Sequence, residues 1–244
     1  MEEKGKVPEI FNEQVQAFIT VLFYRELKKC FGARGVQAFV QGTQSYGEQR
    51  GRRMAKRAIA DGQPLTYETY RAYGEWTNTD EMKAAGCANR SEIVKDGPDW
   101  EMHIFVCPWH AQFREMGLAE AGLVYCAHLD NSICRGFNPY ICYETPQTLH
   151  DCDRCIQTVS HADGRQGEGA AFDPAKARPL EERRKDFEYH CAHSYWSYAK
   201  TSAAIFGEEG KSVSDAVLAD IAQDWGEEYS ETIIQYRDTD FESI

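Results

Sequence analysis

The chain has 244 residues, a formal net charge of −12 and nine cysteines. That length suffices for one large domain with a sizeable apolar interior, and a pI near 5.1 argues against the basic face that grips a nucleic-acid backbone. No apolar run reaches the ~18 residues of a membrane span, the opening MEEKGKVPEIFNE has no charged-then-apolar leader, and an odd cysteine count without framework spacing points to reduced thiols. The expectation is a single cytoplasmic domain over 1–244 that meets neither nucleic acid nor membrane, with homo-oligomerisation left open.

Ile10, Phe11, Val15, Phe18, Ile19, Leu22 and Leu27 follow a helical period that Gly32 ends. A second helix from near Arg34 carries Val36, Phe39, Val40 and Tyr46, with Gly47 and Gly51 spaced to let another backbone approach. The basic run at 50–57, RGRRMAKR, reads as a solvated helix face. Between 61 and 99 an aromatic stripe (Tyr67, Tyr70, Tyr73, Trp76) reads as core or interface packing ahead of a pocket wall, and the segment before Trp100 reads as turn chemistry. Residues 1–99 are therefore expected to be mostly helical.

Trp100 to Val106 alternates with β-branched and aromatic content and reads as a strand ending at Cys107. A short helix follows, closed by Gly117 or Gly122, and then a helix from Leu123 to Cys134 that sets Cys126 and Asp130 at i, i+4 on one face. After a turn at Gly136-Phe137-Asn138-Pro139, two short β-prone runs, Tyr140 to Glu144 and Cys155 to Ser160, complete a 100–160 core. The Gly- and Pro-rich 161–185 stretch reads as a mobile loop and 186–244 as C-terminal helices. These elements predict an α+β fold: a small, largely antiparallel sheet of at least three strands between N-terminal and C-terminal helical layers. A faint internal echo pairs Phe31-Gly32-x-x-Gly35 with Phe206-Gly207-x-x-Gly210, each leading into an amphipathic helix.

The chemistry concentrates at 107–155. A cysteine becomes a strong nucleophile when a base serves it; His110 is the candidate base for Cys126, and Asp130 could orient the site or activate water. Cys107-x-x-His110 with Cys152-x-x-Cys155 forms a rival set with zinc-ligand spacing. His128, His150, His161 and the His190/His193 pair read as surface or supporting groups, the pair also having metal-compatible i, i+3 spacing.

Cys107, FREMGLAEAG at 113–122, Cys126 with Asp130, Gly136-Phe137-Asn138-Pro139, Gln147-Thr148 and Cys155 together resemble the signature of the L-2-amino-thiazoline-4-carboxylic acid hydrolase family. A fainter likeness, a strand ending in cysteine, a helix, then a hairpin closing on cysteine, is similar to vinyl-reductase-type ligand-binding domains. The first resemblance implies a metal-independent, cofactor-free hydrolase that opens a small cyclic amidine, thiazoline or amide-like heterocycle at a C–N bond. In that reading Cys126, His110 and Asp130 are catalytic, Asn138 steadies developing charge, and Tyr125, Phe137 and Trp109 wall the pocket. Where the family offers an arginine for a substrate carboxylate, this chain has Tyr143-Glu144-Thr145-Pro146, and Ile156-Gln157-Thr158 replaces an Asp-Phe-Arg-like continuation after Cys155. Glu144 would repel a carboxylate, so the expected substrate is neutral or cationic, or has its acid bound elsewhere, with Arg135 and Arg154 as anion partners. The competing expectation is a metal- or redox-binding sensor or ligand-binding module of the vinyl-reductase type, in which Cys107, Cys126, Cys152 and Cys155 hold a metal such as zinc or switch redox state.

Overall fold

The computed structural model describes residues 11–244, so Ile10 of the first helical period lies outside the described residues. Asn12 opens helix α1 (Glu13–Phe31) by accepting from the Gln14 and Val15 amides through its side chain, which satisfies two of the donors a helix start leaves free. Phe18, Ile19, Leu22, Phe23 and Leu27 of α1 are buried, each contributing about 1.5–3 kcal/mol. Gly32, at φ 58°, turns the chain directly into α2 (Ala33–Ala60).

After α3 (Tyr67–Ala72) and α4 (Asp80–Ala84) come β1 (Arg90–Asp96) and β2 (Trp100–Val106), then α5 (Pro108–Glu115) and α6 (Ala119–Phe137), then β3 (Cys142–Gln147) and β4 (Cys155–Ser160). One-turn α7 (Leu180–Arg183) precedes α8 (Phe187–Phe206), α9 (Glu208–Trp225) and α10 (Glu227–Gln235). The four strands are antiparallel in the order β1-β2-β4-β3, with Ile104 opposite Cys155 and Met102 opposite Gln157. The fold is α+β as expected. Strand β1 was not anticipated: every one of its residues is exposed, so it lacks the one-sided apolar alternation by which a strand is recognised. Among the described residues no helix is long and apolar enough to cross a membrane.

Helix α2 packs most extensively on α6, and glycine sets how close they come. A Cβ on Gly51 would collide with the Ile133 carbonyl and the Phe137 amide, and one on Gly136 with the backbone of Glu48, so the two helix backbones are nearly in contact. This close crossing turns Arg50 of α2 and Asp130 of α6 toward one interior space, where their charges interact.

The internal echo is structural. Gly32 and Gly207 share one turn geometry (φ 58°, ψ −131° and φ 61°, ψ −131°), and the Phe31 and Phe206 rings stack at 3.7 Å and 7°. The two hairpins diverge later, since α2 continues through Gly47 whereas Gly226, at φ 121°, ends α9.

The 161–185 segment is fastened to the body. Gln63 and Asp173 exchange two hydrogen bonds, and the Arg178 guanidinium donates to both Asp61 carboxylate oxygens.

The basic run at 50–57 is not a solvated face. Arg50, Arg53 and Arg57 are 7%, 0% and 1% exposed. Arg53 donates to both oxygens of fully buried Glu75 (2.8 and 2.6 Å) and Arg57 to one of them (2.5 Å). Only Arg52 and Lys56 point outward, where Glu242 meets them.

Candidate active site

A cavity of about 480 Å³ lies between the sheet and helices α2, α3 and α6. Cys126, Asp130 and Tyr125 enter it from α6, Arg50 from α2, Cys107 and Trp109 from the start of α5, and Cys155, Gln157 and Thr145 from the sheet. Of the aromatic stripe, Tyr67, Tyr70 and Trp76 line the cavity while Tyr73 is buried away from it, so the stripe is largely a pocket wall. Residues on i, i+4 of a helix face one way, and Cys126 and Asp130 accordingly share this wall.

The imidazole in hydrogen-bond reach of Cys126 is that of His150. Cys126 Sγ lies 3.6 Å from His150 Nε2. His110, on α5, has its ring 5.0 Å from that of His150. His150 belongs to the loop between β3 and β4 and is held there by the very residues of the sequence signature. Its backbone N–H donates to Thr148 Oγ1 (3.2 Å), the Leu149 N–H donates to Cys155 Sγ (3.2 Å), and Gln147 Nε2 donates to the Arg154 carbonyl (3.0 Å). Gly122 on α6 completes the seat, because a Cβ there would overlap the His150 ring. His150, expected as a surface or supporting group, thus stands half-buried against Cys126. Its sequence signal was the Thr148 and Cys155 bracket, which marks a built loop.

Burial dominates the electrostatics of the wall. It pushes the Cys126 thiol well above the ordinary range, with Cys107, Cys155 and Asp130 adding to the effect, and raises Cys107 to about 12. The His150 imidazole is lowered to about 4 by burial and then by His110. Asp130 is raised by burial, with Arg50 and the 2.8 Å hydrogen bond from Gln157 Nε2 opposing. Burial works against the Arg50 charge, but Tyr46, Glu75, Tyr70 and Asp130 outweigh it, so this guanidinium stays charged. Arg50 Nε has no hydrogen-bond partner and lies 3.5 Å from Glu75. Trp109 Nε1, Tyr125 Oη and Thr145 Oγ1 are likewise buried without partners, which leaves an unusual density of free polar groups around one cavity.

Other expected site residues lie elsewhere. The Asn138 amide spends both N–H groups on the Leu65 and Gly164 carbonyls (2.8 and 2.9 Å) and its oxygen on the Tyr140 N–H, so it ties loops together at the end of α6 and has no donor left for a developing anion. Phe137 is buried in a second apolar cluster, against the outer side of Tyr70. Arg135 pairs with Glu48 and Arg154 with Asp153, both near the surface. Glu144 is exposed on β3 and does not line the cavity, where its neighbour Thr145 does. Cys107 and Cys155 line the cavity while Cys152 is exposed, and among the described residues no group of three or more His, Cys, Asp or Glu side chains is placed to hold a metal ion. His190 and His193 are fully buried on α8, bonded to Tyr46 and Gln49 respectively. Arg50 is the residue that sequence reasoning missed, and the Gly47/Gly51 spacing on its own helix was the signal that this face turns inward.

Comparison with curated proteins and with solved structures gave no match, so the likeness to vinyl-reductase-type domains rests on the sequence alone. Residues 12–155 match the family described as L-2-amino-thiazoline-4-carboxylic acid hydrolase. That span runs from the cap of α1 to the first residue of β4 and contains Arg50, Cys126, Asp130 and His150. The chain belongs to the L-2-amino-thiazoline-4-carboxylic acid hydrolase family.

Proposed function

We propose that the cavity hydrolyses a small thiazoline or related cyclic amidine, with Cys126 as nucleophile and His150 as its base. The family's description names a hydrolase of a thiazoline carboxylic acid. The observation that carries the finer reading is the Cys126 thiol in the cavity wall, 3.6 Å from His150 Nε2.

Both partners rest uncharged, because burial raises the thiol and lowers the imidazole. With its hydrogen on Nδ1, His150 presents Nε2 as an acceptor to the thiol. In the first step the sulfur forms a bond to the amidine carbon, the C=N π pair retreats to nitrogen, and the thiol proton passes to Nε2. Collapse of the adduct breaks a ring bond, and the departing atom takes the proton from His150. Water then adds to the S-bound carbon while giving a proton to Nε2; the S–C bond breaks and Cys126 regains its hydrogen. A neutral pair avoids holding a thiolate in a site whose burial and carboxylate both disfavour one.

The experiment is ring opening of L-2-amino-thiazoline-4-carboxylate, followed by loss of ring absorbance and by product analysis for the bond broken. Cys126→Ser and His150→Gln are each expected to lower kcat at least about 100-fold with thermal unfolding unchanged within a few degrees. Turnover of Cys126→Ser at the wild-type rate would exclude the covalent route and leave water activated by Asp130 as the reaction to test.

A further inference from the structure

Along α2 three arginines are buried within reach of a single fully buried carboxylate. Arg53 and Arg57 take up the Glu75 oxygens through short hydrogen bonds, and Arg50 approaches only through Nε at 3.5 Å, without hydrogen-bond geometry. No hydrogen bond is made by the Arg50 guanidinium among the described residues, although the residue is only 7% exposed and lines the cavity. A buried cation without a full complement of partners is expensive to keep, and the planar fork of arginine matches a carboxylate in two parallel bonds. Asp130 lines the same cavity, and the one hydrogen bond from Gln157 leaves it with acceptor capacity unused.

We infer that Arg50 and Asp130 form a charge-separated clamp for a zwitterionic ligand, Arg50 binding its carboxylate and Asp130 its protonated amidine. This rests on the reading of the cavity as the reaction site. A 2-amino-thiazoline carboxylate has both charges, since its N–C(=N)–S unit is a basic isothiourea and its acid is ionised at neutral pH. Bound between the pair, it gives Arg50 the anion that Glu75 does not supply and holds the amidine carbon on the wall that carries Cys126. Its acid is thereby bound by α2 rather than by the β3 segment containing Glu144.

The clamp is tested by calorimetric titration in the Cys126→Ser background, where the ring is not consumed, using L-2-amino-thiazoline-4-carboxylate and 2-amino-thiazoline, which lacks the acid. With Arg50 intact the acid is expected to bind about 10- to 150-fold more tightly, the span of a charge-assisted hydrogen bond. Arg50→Gln should bring the two probes within about threefold of each other, and Arg50→Lys, which keeps a charge but loses the fork, should retain an intermediate ratio. Asp130→Asn should weaken both probes alike, because both have the cationic amidine. An acid that binds no better than 2-amino-thiazoline with Arg50 present, or an unchanged ratio in a folded Arg50→Gln or Arg50→Lys protein, overturns the clamp; Arg50→Lys decides should Arg50→Gln fail to fold. Discrimination without ring opening by the wild-type protein overturns the hydrolase reading instead and leaves the clamp standing.

Discussion

Arg53 and Arg57 end on the Glu75 carboxylate, whereas Arg50, on the same helix and almost as deeply buried, ends in the cavity. Both regions remove charge from water, and they differ in what completes the charge. Around Glu75 the partners are internal: burial alone would raise this carboxyl, yet Arg53, with His190 and Arg50 behind it, holds it down to about 2. Arg53 also donates to the Phe241 carbonyl, so the cluster binds the last residues of the chain to α2. Around the cavity the partners are missing, with Arg50 Nε, Trp109 Nε1, Tyr125 Oη and Thr145 Oγ1 all unpaired. A cluster whose members satisfy one another stabilises the fold, whereas unpaired polar groups lining a cavity are free to meet a ligand.

The sharpest way to break that comparison is to remove the shared anion. Glu75→Gln leaves Arg53 and Arg57 buried without a counter-charge and is expected to cost about 3–5 kcal/mol of unfolding free energy in denaturant titration. Arg50→Gln should stay within about 1 kcal/mol of wild type, because it removes a charge that the folded chain does not fully pair. Equal losses in the two variants would show that Arg50 belongs to the structural cluster.

A smaller change sharpens the cavity side. Gly122→Ala favours helix α6 by about 1 kcal/mol in intrinsic propensity, yet its Cβ would occupy the space of the His150 ring. Displacing a base by about 1 Å costs on the order of 100-fold, so ring opening should fall by that factor while the thermal midpoint holds or rises. Unchanged turnover would mean that His150 does not act from this seat.

These contrasts also mark what could be read from the chain. Local patterns were legible: the α1 period, the β2 alternation, the i, i+4 placement of Cys126 and Asp130, and the Phe-Gly turns that became matching hairpins. The signature residues were legible as a family match, but their work was not. Thr148 and Cys155 act by fixing a loop whose cargo is His150, and Asn138 by pinning Leu65 and Gly164, contacts that span up to 73 positions and have no periodicity. Arg50 and Glu75 were illegible for a related reason. A run of arginines looks solvated until the partner that neutralises it, 18 to 25 residues on and alone among aromatics, is seen beside it. His110 was preferred over His150 through nearness in sequence, although the β3–β4 turn brings His150 within 3.6 Å of Cys126 Sγ.

The smallest expected effect is a pH slope. The His150 imidazole falls from an ordinary 6.5 to about 4 in the folded chain, by burial and then by His110, and burial lowers His110, His128, His190 and His193 in the same direction. For a lowered histidine the unfolded chain binds the proton first, so its stabilisation is fully present above pH 6.5 and is lost as pH falls towards the folded value. Asp130 has the opposite sign, since its raised carboxyl takes a proton more readily when folded, while Glu75, held at about 2 against an ordinary 4.5, loses its contribution mainly at lower pH. Between pH 6.5 and 5 the histidines therefore dominate, and the thermal midpoint should decline across that window. His150→Gln removes one of the five lowered imidazoles, so its midpoint should decline less steeply than that of the wild type. Parallel curves would mean that the 148–154 loop lets the ring reach water, and the neutral Cys126–His150 pair would then have to be replaced by one in which the imidazole is protonated before the thiol attacks.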